Sequence, residues 1–345
     1  MEQIMWRWVM VLSFLLVGPA LGSSGEPNRF EFTRIVMGCR ARIVFYTENE
    51  AAAREIAQAV FARLNALDAV MSDYRSDSEL MRLCAQPAGK PVRVSDDLLR
   101  VLAIAREVSE RTGGAFDATV GPAVRLWREA RKTGVAPTSE AIERALARSG
   151  WQHCRIDAHA GTVTLAIEGM QLDLGGIGKG FAADEAIGVL RAHGIDSALV
   201  DLGGDVVVSA APPGTPGWRV RIDDGRTEPR QVYLSHAAIA TSGDLEQHVI
   251  IDGVRYSHII DPRTGQALTH SAASTVLAPT GALADALASA CCVLSGSDDE
   301  RGLKRLAEAF SDIEATASRG VSADGDEGKL WATEGMPGDG EKWSR

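Results

Sequence analysis

The chain has 345 residues, of which 45% are hydrophobic and 24% charged, a make-up that suits a folded globular protein and excludes a wholly disordered one. A formal net charge of −10 and a pI near 5.3 exclude a general nucleic-acid binder, which would carry a basic stripe. Small molecules or proteins are the expected partners.

The N-terminus opens with Arg7, an apolar run over residues 8–17, then Gly18, Pro19, Ala20, Leu21 and Gly22. A short apolar core ending in small residues predicts a secretory signal over residues 1–22, with a linker over 23–29. The run is short for a membrane span, although an uncleaved anchor stays open because Glu2 weakens the positive flank. Export to a periplasm or the cell exterior follows. Five cysteines, Cys39, Cys84, Cys154, Cys291 and Cys292, show no Cys-x-x-Cys spacing, which argues against a zinc ribbon or a thioredoxin-like motif.

Residues 32–46 alternate as a long strand or a strand pair. Residues 51–71 form a helix with Ile56, Val60, Leu64, Leu67 and Met71 on one face. Ser95, backed by Asp96 and Asp97, caps a second helix that stops at Gly113-Gly114, and residues 139–149 form a third. Strands are expected at 162–167 and 170–174, then a helix at 180–193. Gly203-Gly204 and Asp252-Gly253 predict two hairpins, spanning 197–209 and 249–259. A helix around Asp285, another over 299–310, a closing strand at 329–333 and a disordered tail over 336–345 complete the reading. Helices mixed with hairpins, without regular βαβ alternation, predict an α+β fold of largely antiparallel strands.

The most informative residue is Asp285, the only charged residue between Pro279 and Ser297. An ionised group taken from water without compensation costs several kcal/mol or more, so it must be paired, protonated or bound to a cation. Leu283, Leu287, Ala290 and Leu294 make the packing stripe, and Asp285 and Ser289, four residues apart, share another face. Two oxygen ligands on one rigid element suit Mg²⁺. The alternative is that this face meets solvent.

Asp173-Leu174-Gly175-Gly176-Ile177-Gly178-Lys179-Gly180 runs into a helix, where backbone N–H groups and the helix dipole favour phosphate and Lys179 can neutralise its charge. The spacing fits neither a Walker A loop nor a dinucleotide fingerprint, and a purely structural turn remains the alternative. The loop from Thr112 to Pro122 holds Phe116, on which a planar ring could stack, and Asp117. Ser257, His258 and Asp261 cannot form a local triad, because Ser257 and His258 point to opposite faces of a strand.

Met37-Gly38-Cys39, the stretch from Met71 to Leu80, Gly113-Gly114-Ala115-Phe116-Asp117, Leu172 to Gly180, Ala240-Thr241-Ser242-Gly243-Asp244, Tyr256 to Gly265 and Ala284-Asp285-Ala286-Leu287-Ala288-Ser289 together resemble, in order, the ApbE family of FAD:protein FMN transferases. The resemblance runs from Arg34 to about Met336. It implies one ApbE-like (T-fold-like) domain over 30–335 that uses Mg²⁺ to move FMN from FAD onto a Thr or Ser hydroxyl of an exported redox protein carrying a flavinylation motif, releasing AMP. Met37, Tyr74, Ala115, Phe116, Asp117, Asp173, Lys179, His258 and Ile259 would hold FAD. Gly176, through its carbonyl, with Asp285 and Ser289 would hold the metal, and Asp285 or His258 would accept the hydroxyl proton. Ser289 stands where relatives usually have threonine, and Cys39 where they commonly have threonine. Many relatives are lipoproteins; this chain lacks the lipid-bearing cysteine, so inner-membrane proximity would come through the acceptor or an uncleaved anchor. The alternatives are an FAD pyrophosphatase that yields FMN and AMP, and an exported protein that binds FAD without turnover.

Overall fold

The computed structural model describes residues 27–222, 229–244, 247–296, 300–320 and 329–344. The signal and most of the linker expected at the N-terminus lie outside the described residues. Among the described residues, no helix is long and apolar enough to cross a membrane.

Among the described residues, eight α-helices appear in the order α1 (Glu50–Met71), α2 (Glu79–Cys84), α3 (Asp96–Arg111), α4 (Gly121–Thr133), α5 (Ser139–Leu146), α6 (Gly178–Ala192), α7 (Gly281–Leu294) and α8 (Arg301–Ala309). They accompany an eight-stranded sheet whose spatial order is Asn28–Val36, Cys39–Thr47, Ala198–Leu202, Asp205–Val208, Ala237–Gly243, Ala272–Ala278, Glu314–Arg319 and Lys329–Ala332. Every neighbouring pair in this sheet is antiparallel. The fold is α+β, as the pattern of elements predicts.

The sheet buries both faces, and period two explains how. Ala41, Ile43, Val200, Leu202, Val207, Ala238, Ala240 and Val276 point to one face, where α1, α6 and α7 form the main core with them. The intervening Val44, Leu199, Val206, Val208, Ile239 and Leu277 point to the other, covered by a three-stranded sheet of Trp218–Ile222, Arg230–Ser235 and Lys342–Ser344.

Turn chemistry fixes the hairpins that frame the site. Gly203 and Gly204 have φ of 64° and 103°, and Asp252 and Gly253 have φ of 50° and 79°. The pairs close the two expected hairpins, and positive φ at both central residues matches strand twist. Met37 (φ 52°) and Gly38 (φ 70°) close a third between the first two strands. A left-handed methionine is uncommon, so this turn holds Met37 in place at some backbone cost.

Three expectations are corrected. Residues 170–174 are extended but form no strand: Met170, Leu172 and Leu174 are buried alternately, while the Leu172 N–H goes to Cys84 Sγ (3.3 Å) and the Asp173 N–H to the Ala118 carbonyl (2.8 Å). The tail is not without structure, since Lys342–Ser344 pairs in parallel with Arg230–Ser235 and Trp343 is only 8% exposed. The residues after Asp117 continue into a 3-10 turn at Ala118–Val120 and then α4, with Pro122 in its first turn and Gly134 in the left-handed conformation after its end. All five cysteines are free thiols.

Candidate active site

Glycine lets two helices touch at the centre of the site. A Cβ on Gly180 would lie 2.0 Å from the Gly281 carbonyl oxygen, and one on Gly281 would lie 2.4 Å from the Gly180 carbonyl oxygen. Only two glycines permit backbones this close. Asp184, one turn along α6, accepts hydrogen bonds from the Gly281 and Ala282 N–H groups (2.7 and 2.9 Å), and so fastens the start of α7 to α6. Burial raises the Asp184 carboxyl to about 6, against the pull of those two N–H donors.

This crossing places Asp285. The side chain is 3% exposed, and its Oδ2 accepts the Gly180 N–H at 3.1 Å. One turn further, Ser289 Oγ sits 2.9 Å from the position a Cβ on Gly176 would take, and 3.3 Å from Ser242 Oγ. Asp285 and Ser289, one turn apart on α7, thus both lie against the Gly176–Gly180 turn. Asp285 itself does not meet solvent, and the helix is buried all round apart from the partly exposed Leu283 and Ser289.

Lys179 forms an ion pair with Asp205, a buried residue that follows the Gly203-Gly204 turn. Burial works against the lysine charge, yet the carboxylates of Asp285 and Asp205 outweigh it and hold Lys179 above its ordinary value. Asp205 moves up to about 7, chiefly through burial and then the Asp285 charge, with Lys179 opposing. Two buried carboxylates thus share one ammonium, and the cluster is short of positive charge. A divalent cation would supply it. The donors at hand, a carboxylate, a hydroxyl and a backbone carbonyl, are all hard oxygens, so the residues fit Mg²⁺. Among the described residues no three His, Cys, Asp or Glu side chains gather as a metal cluster.

The expected flavin residues surround this centre on several loops. Phe116 lies 3.4 Å from the Cβ position of Gly176, which brings the 115–117 loop against the glycine turn, with Ala115 and Phe116 buried. The Gly203 N–H donates to the Arg40 carbonyl (3.0 Å), so the Met37 turn sits beside the Gly203 turn and Cys39 feels the charges of Lys179 and Asp205. Asp117 also shapes its own loop. Its buried carboxylate accepts from the Thr119 N–H and hydroxyl (both 2.8 Å) and the Trp151 N–H (2.9 Å).

Asp173 is bridged to Asp73 by Arg128, whose guanidinium stacks 4.4 Å from the ring centre of Tyr74. Tyr74 is 81% exposed, so one ring face remains open. Burial and then the Asp73 charge push Asp173 up to about 6, with Arg128 opposing. His258 follows the Val254–Ser257 strand, and its Nδ1 lies 3.2 Å from the Gln247 carbonyl oxygen. A carbonyl only accepts, so Nδ1 carries the proton and Nε2 is the free acceptor. Burial lowers the His258 value. The neighbouring Ile259 is buried, its N–H bound to Ser257 Oγ (3.0 Å). Asp244, fully buried and paired with Arg255, also accepts the Ala272 N–H (3.0 Å), and so ties this hairpin to the main sheet.

The sequence reading missed Arg128, Arg131, Asp184 and Asp205. The first two lie on the unrecognised α4, for which Pro122 and Gly134 were the available signals; Asp205 was legible only as part of a hairpin.

The family model described as "ApbE family" matches residues 37–316. An FAD:protein FMN transferase of Treponema pallidum is 36% identical over 310 residues, spanning 84% of this chain and 86% of that protein. One from Vibrio cholerae is 33% identical over 308 residues, 87% of this chain and 90% of that protein. Among solved structures, the flavin transferase ApbE from Vibrio cholerae superposes with a TM-score of 0.77 at 31% identity, covering 89% of this chain and 98% of that one. The apo flavinyl transferase ApbE of Pseudomonas stutzeri gives 0.79 at 31% identity, covering 90% and 96%. With a family match over most of its length and relatives above 30% identity, the chain belongs to the ApbE family.

Proposed function

We propose that this chain is an FAD:protein FMN transferase that uses Mg²⁺ to move FMN from FAD onto a Ser or Thr hydroxyl of an exported redox protein, with release of AMP. The observation that carries the reading is the placement of Asp285 and Ser289 against the Gly176–Gly180 turn, where the carboxylates of Asp285 and Asp205 share the single ammonium of Lys179. Bound there, Mg²⁺ would offset the negative charge of the pyrophosphate during transfer.

The chain's own residues supply position and charge. The glycine turn at 175–178 leads into the α6 N-terminus, where N–H groups and the helix dipole favour phosphate oxygens. Lys179 adds a fixed positive charge. The open face of Tyr74 offers a stacking surface for a planar ring, while the buried Phe116 backs the glycine turn. In the reaction the acceptor oxygen attacks the phosphorus of the FMN half, the bridging P–O bond breaks, and AMP leaves with the bridging oxygen. We assign the hydroxyl proton to His258 Nε2, because burial keeps that imidazole neutral and its Nδ1–H is already committed to Gln247. Asp285 is then reserved for the metal. Export, expected from the N-terminal sequence, would place the enzyme in the compartment of its acceptor.

The test is direct. Purified chain is incubated with FAD, Mg²⁺ and a candidate acceptor, and flavin fluorescence is read on the denatured acceptor alongside AMP. Acceptor-bound flavin that vanishes with EDTA supports the reading. Free FMN and AMP at the same rate without acceptor would mark a pyrophosphatase instead, and FAD binding without turnover would mark a carrier.

A further inference from the structure

Three cations border the proposed flavin site, and one of them lacks a counter-charge. Lys179 is paired with Asp205, and Arg128 with Asp73 and Asp173. Arg131 makes no ion pair among the described residues, and its buried Nη1 has no hydrogen-bond partner. It lies on α4 one turn after Arg128, so two guanidinium groups share one helix face. Tyr74 is near enough for electrostatic contact with it, and its charge also reaches His258. Burial, and then repulsion from Arg128, pull Arg131 below the usual guanidinium value.

Such an arrangement costs free energy in the free protein. A desolvated N–H donor without a partner loses its hydration and gains nothing, and a like charge one turn away adds to the penalty. A surface arginine would swing into water, but Nη1 of this one stays buried. A guanidinium so held is a receptor waiting for an electron-rich oxygen.

We propose that Arg131 is a substrate-binding residue, whose guanidinium receives an oxygen of the bound flavin dinucleotide. The inference rests on the proposed use of FAD, since Arg131 lies one turn from Arg128, which stacks on Tyr74, and Tyr74 belongs to the expected flavin site. FAD offers two sources of that oxygen, the pyrophosphate and the carbonyls of the flavin ring. An acidic side chain of the acceptor protein is the rival occupant. It is less favoured because Arg131 sits among the residues expected to hold the flavin.

The experiment compares wild type, Arg131→Gln and Arg131→Lys in equilibrium binding of FAD, ADP and riboflavin, and in the acceptor KM. Loss of a charge-assisted hydrogen bond predicts FAD binding weaker by about tenfold or more in Arg131→Gln. Arg131→Lys, which keeps the charge but not the planar fork, should fall between. A parallel loss for ADP places the contact on the phosphates, and a parallel loss for riboflavin places it on the ring. In the FAD-free state the Tm of Arg131→Gln should equal or exceed that of wild type, because an unpaired charge has been removed. Unchanged FAD affinity, a rise in acceptor KM alone, or a marked fall in FAD-free Tm would each overturn the assignment. If wild type binds FAD and loses that binding on Arg131→Gln but transfers no flavin, the assignment stands and the transferase reading fails.

Discussion

Alanine at Gly180 and at Gly188 makes the same chemical change on the same helix, and the structure predicts opposite outcomes. A Cβ at Gly180 would lie 2.0 Å from the Gly281 carbonyl oxygen and 2.3 Å from its carbon, where ordinary contact begins at 3.4 Å. Neither atom belongs to a flexible side chain, so the α6 and α7 backbones must move apart to make room. Overpacking of this kind typically costs 1–3 kcal/mol, and clashes with backbone lie at the upper end, so about 3 kcal/mol is expected. In a chain of 345 residues that is a fall in Tm of about 4 °C. The Asp285 contact with the Gly180 N–H and the approach of Ser289 to Gly176 would loosen together, so Mg²⁺ and FAD affinity should fall as well. Gly188 is exposed, and a Cβ there meets nothing within 4 Å. Alanine at that site relieves a helix-interior glycine and should stabilise by about 0.5–1 kcal/mol. Thermal and denaturant unfolding, with FAD binding measured in parallel, reads both variants. Equal stabilities for the two would refute the view that the α6–α7 crossing sets the site.

Further outcomes follow from the same geometry. Burial holds the Asp184 carboxyl at about 6, above the ordinary aspartate value of 3.8, so its contribution to stability is fully present below pH 3.8 and is lost as pH rises through 6. The change is on the order of 2 kcal/mol, and Asp184→Asn should flatten the Tm of the metal-free protein between pH 4 and 7; an unchanged slope would contradict this. Trp343→Ala should cost about 3 kcal/mol, because Trp343 packs with Val44, Leu199 and Leu234 in the second core. If the tail were an unpacked appendage, the variant would melt with wild type. Asp285→Ala should abolish covalent transfer of flavin to the acceptor while leaving the secondary structure seen by circular dichroism intact.

Local signals in the sequence carried the fold a long way. Ser95 caps α3, accepting the Leu98 N–H, and the Gly203-Gly204 and Asp252-Gly253 turns adopt the positive φ that their hairpins require. The isolated acid Asp285 pointed to the centre of the site because its desolvation is a purely local problem. What escaped reading depends on partners far away in the chain. Met170, Leu172 and Leu174 alternate like a strand, yet only tertiary packing decided that no ladder partner stands beside them. The arginines of α4 look like a solvated face in one dimension, and only folding sets Arg128 between Asp73 and Asp173. Trp343 was the sole clue within a polar tail that the last residues complete the covering sheet. The Gly180–Gly281 approach belongs to neither segment alone, so no spacing rule could have announced it.

The central claim is a divalent cation held by Asp285 beside the glycine turn, and metal titration tests it without reference to catalysis. Mg²⁺ is titrated calorimetrically into the FAD-loaded chain, wild type against Asp285→Asn. A single saturable site in wild type that is lost in the variant is the expected result. Equal Mg²⁺ affinity in the two proteins would contradict the account.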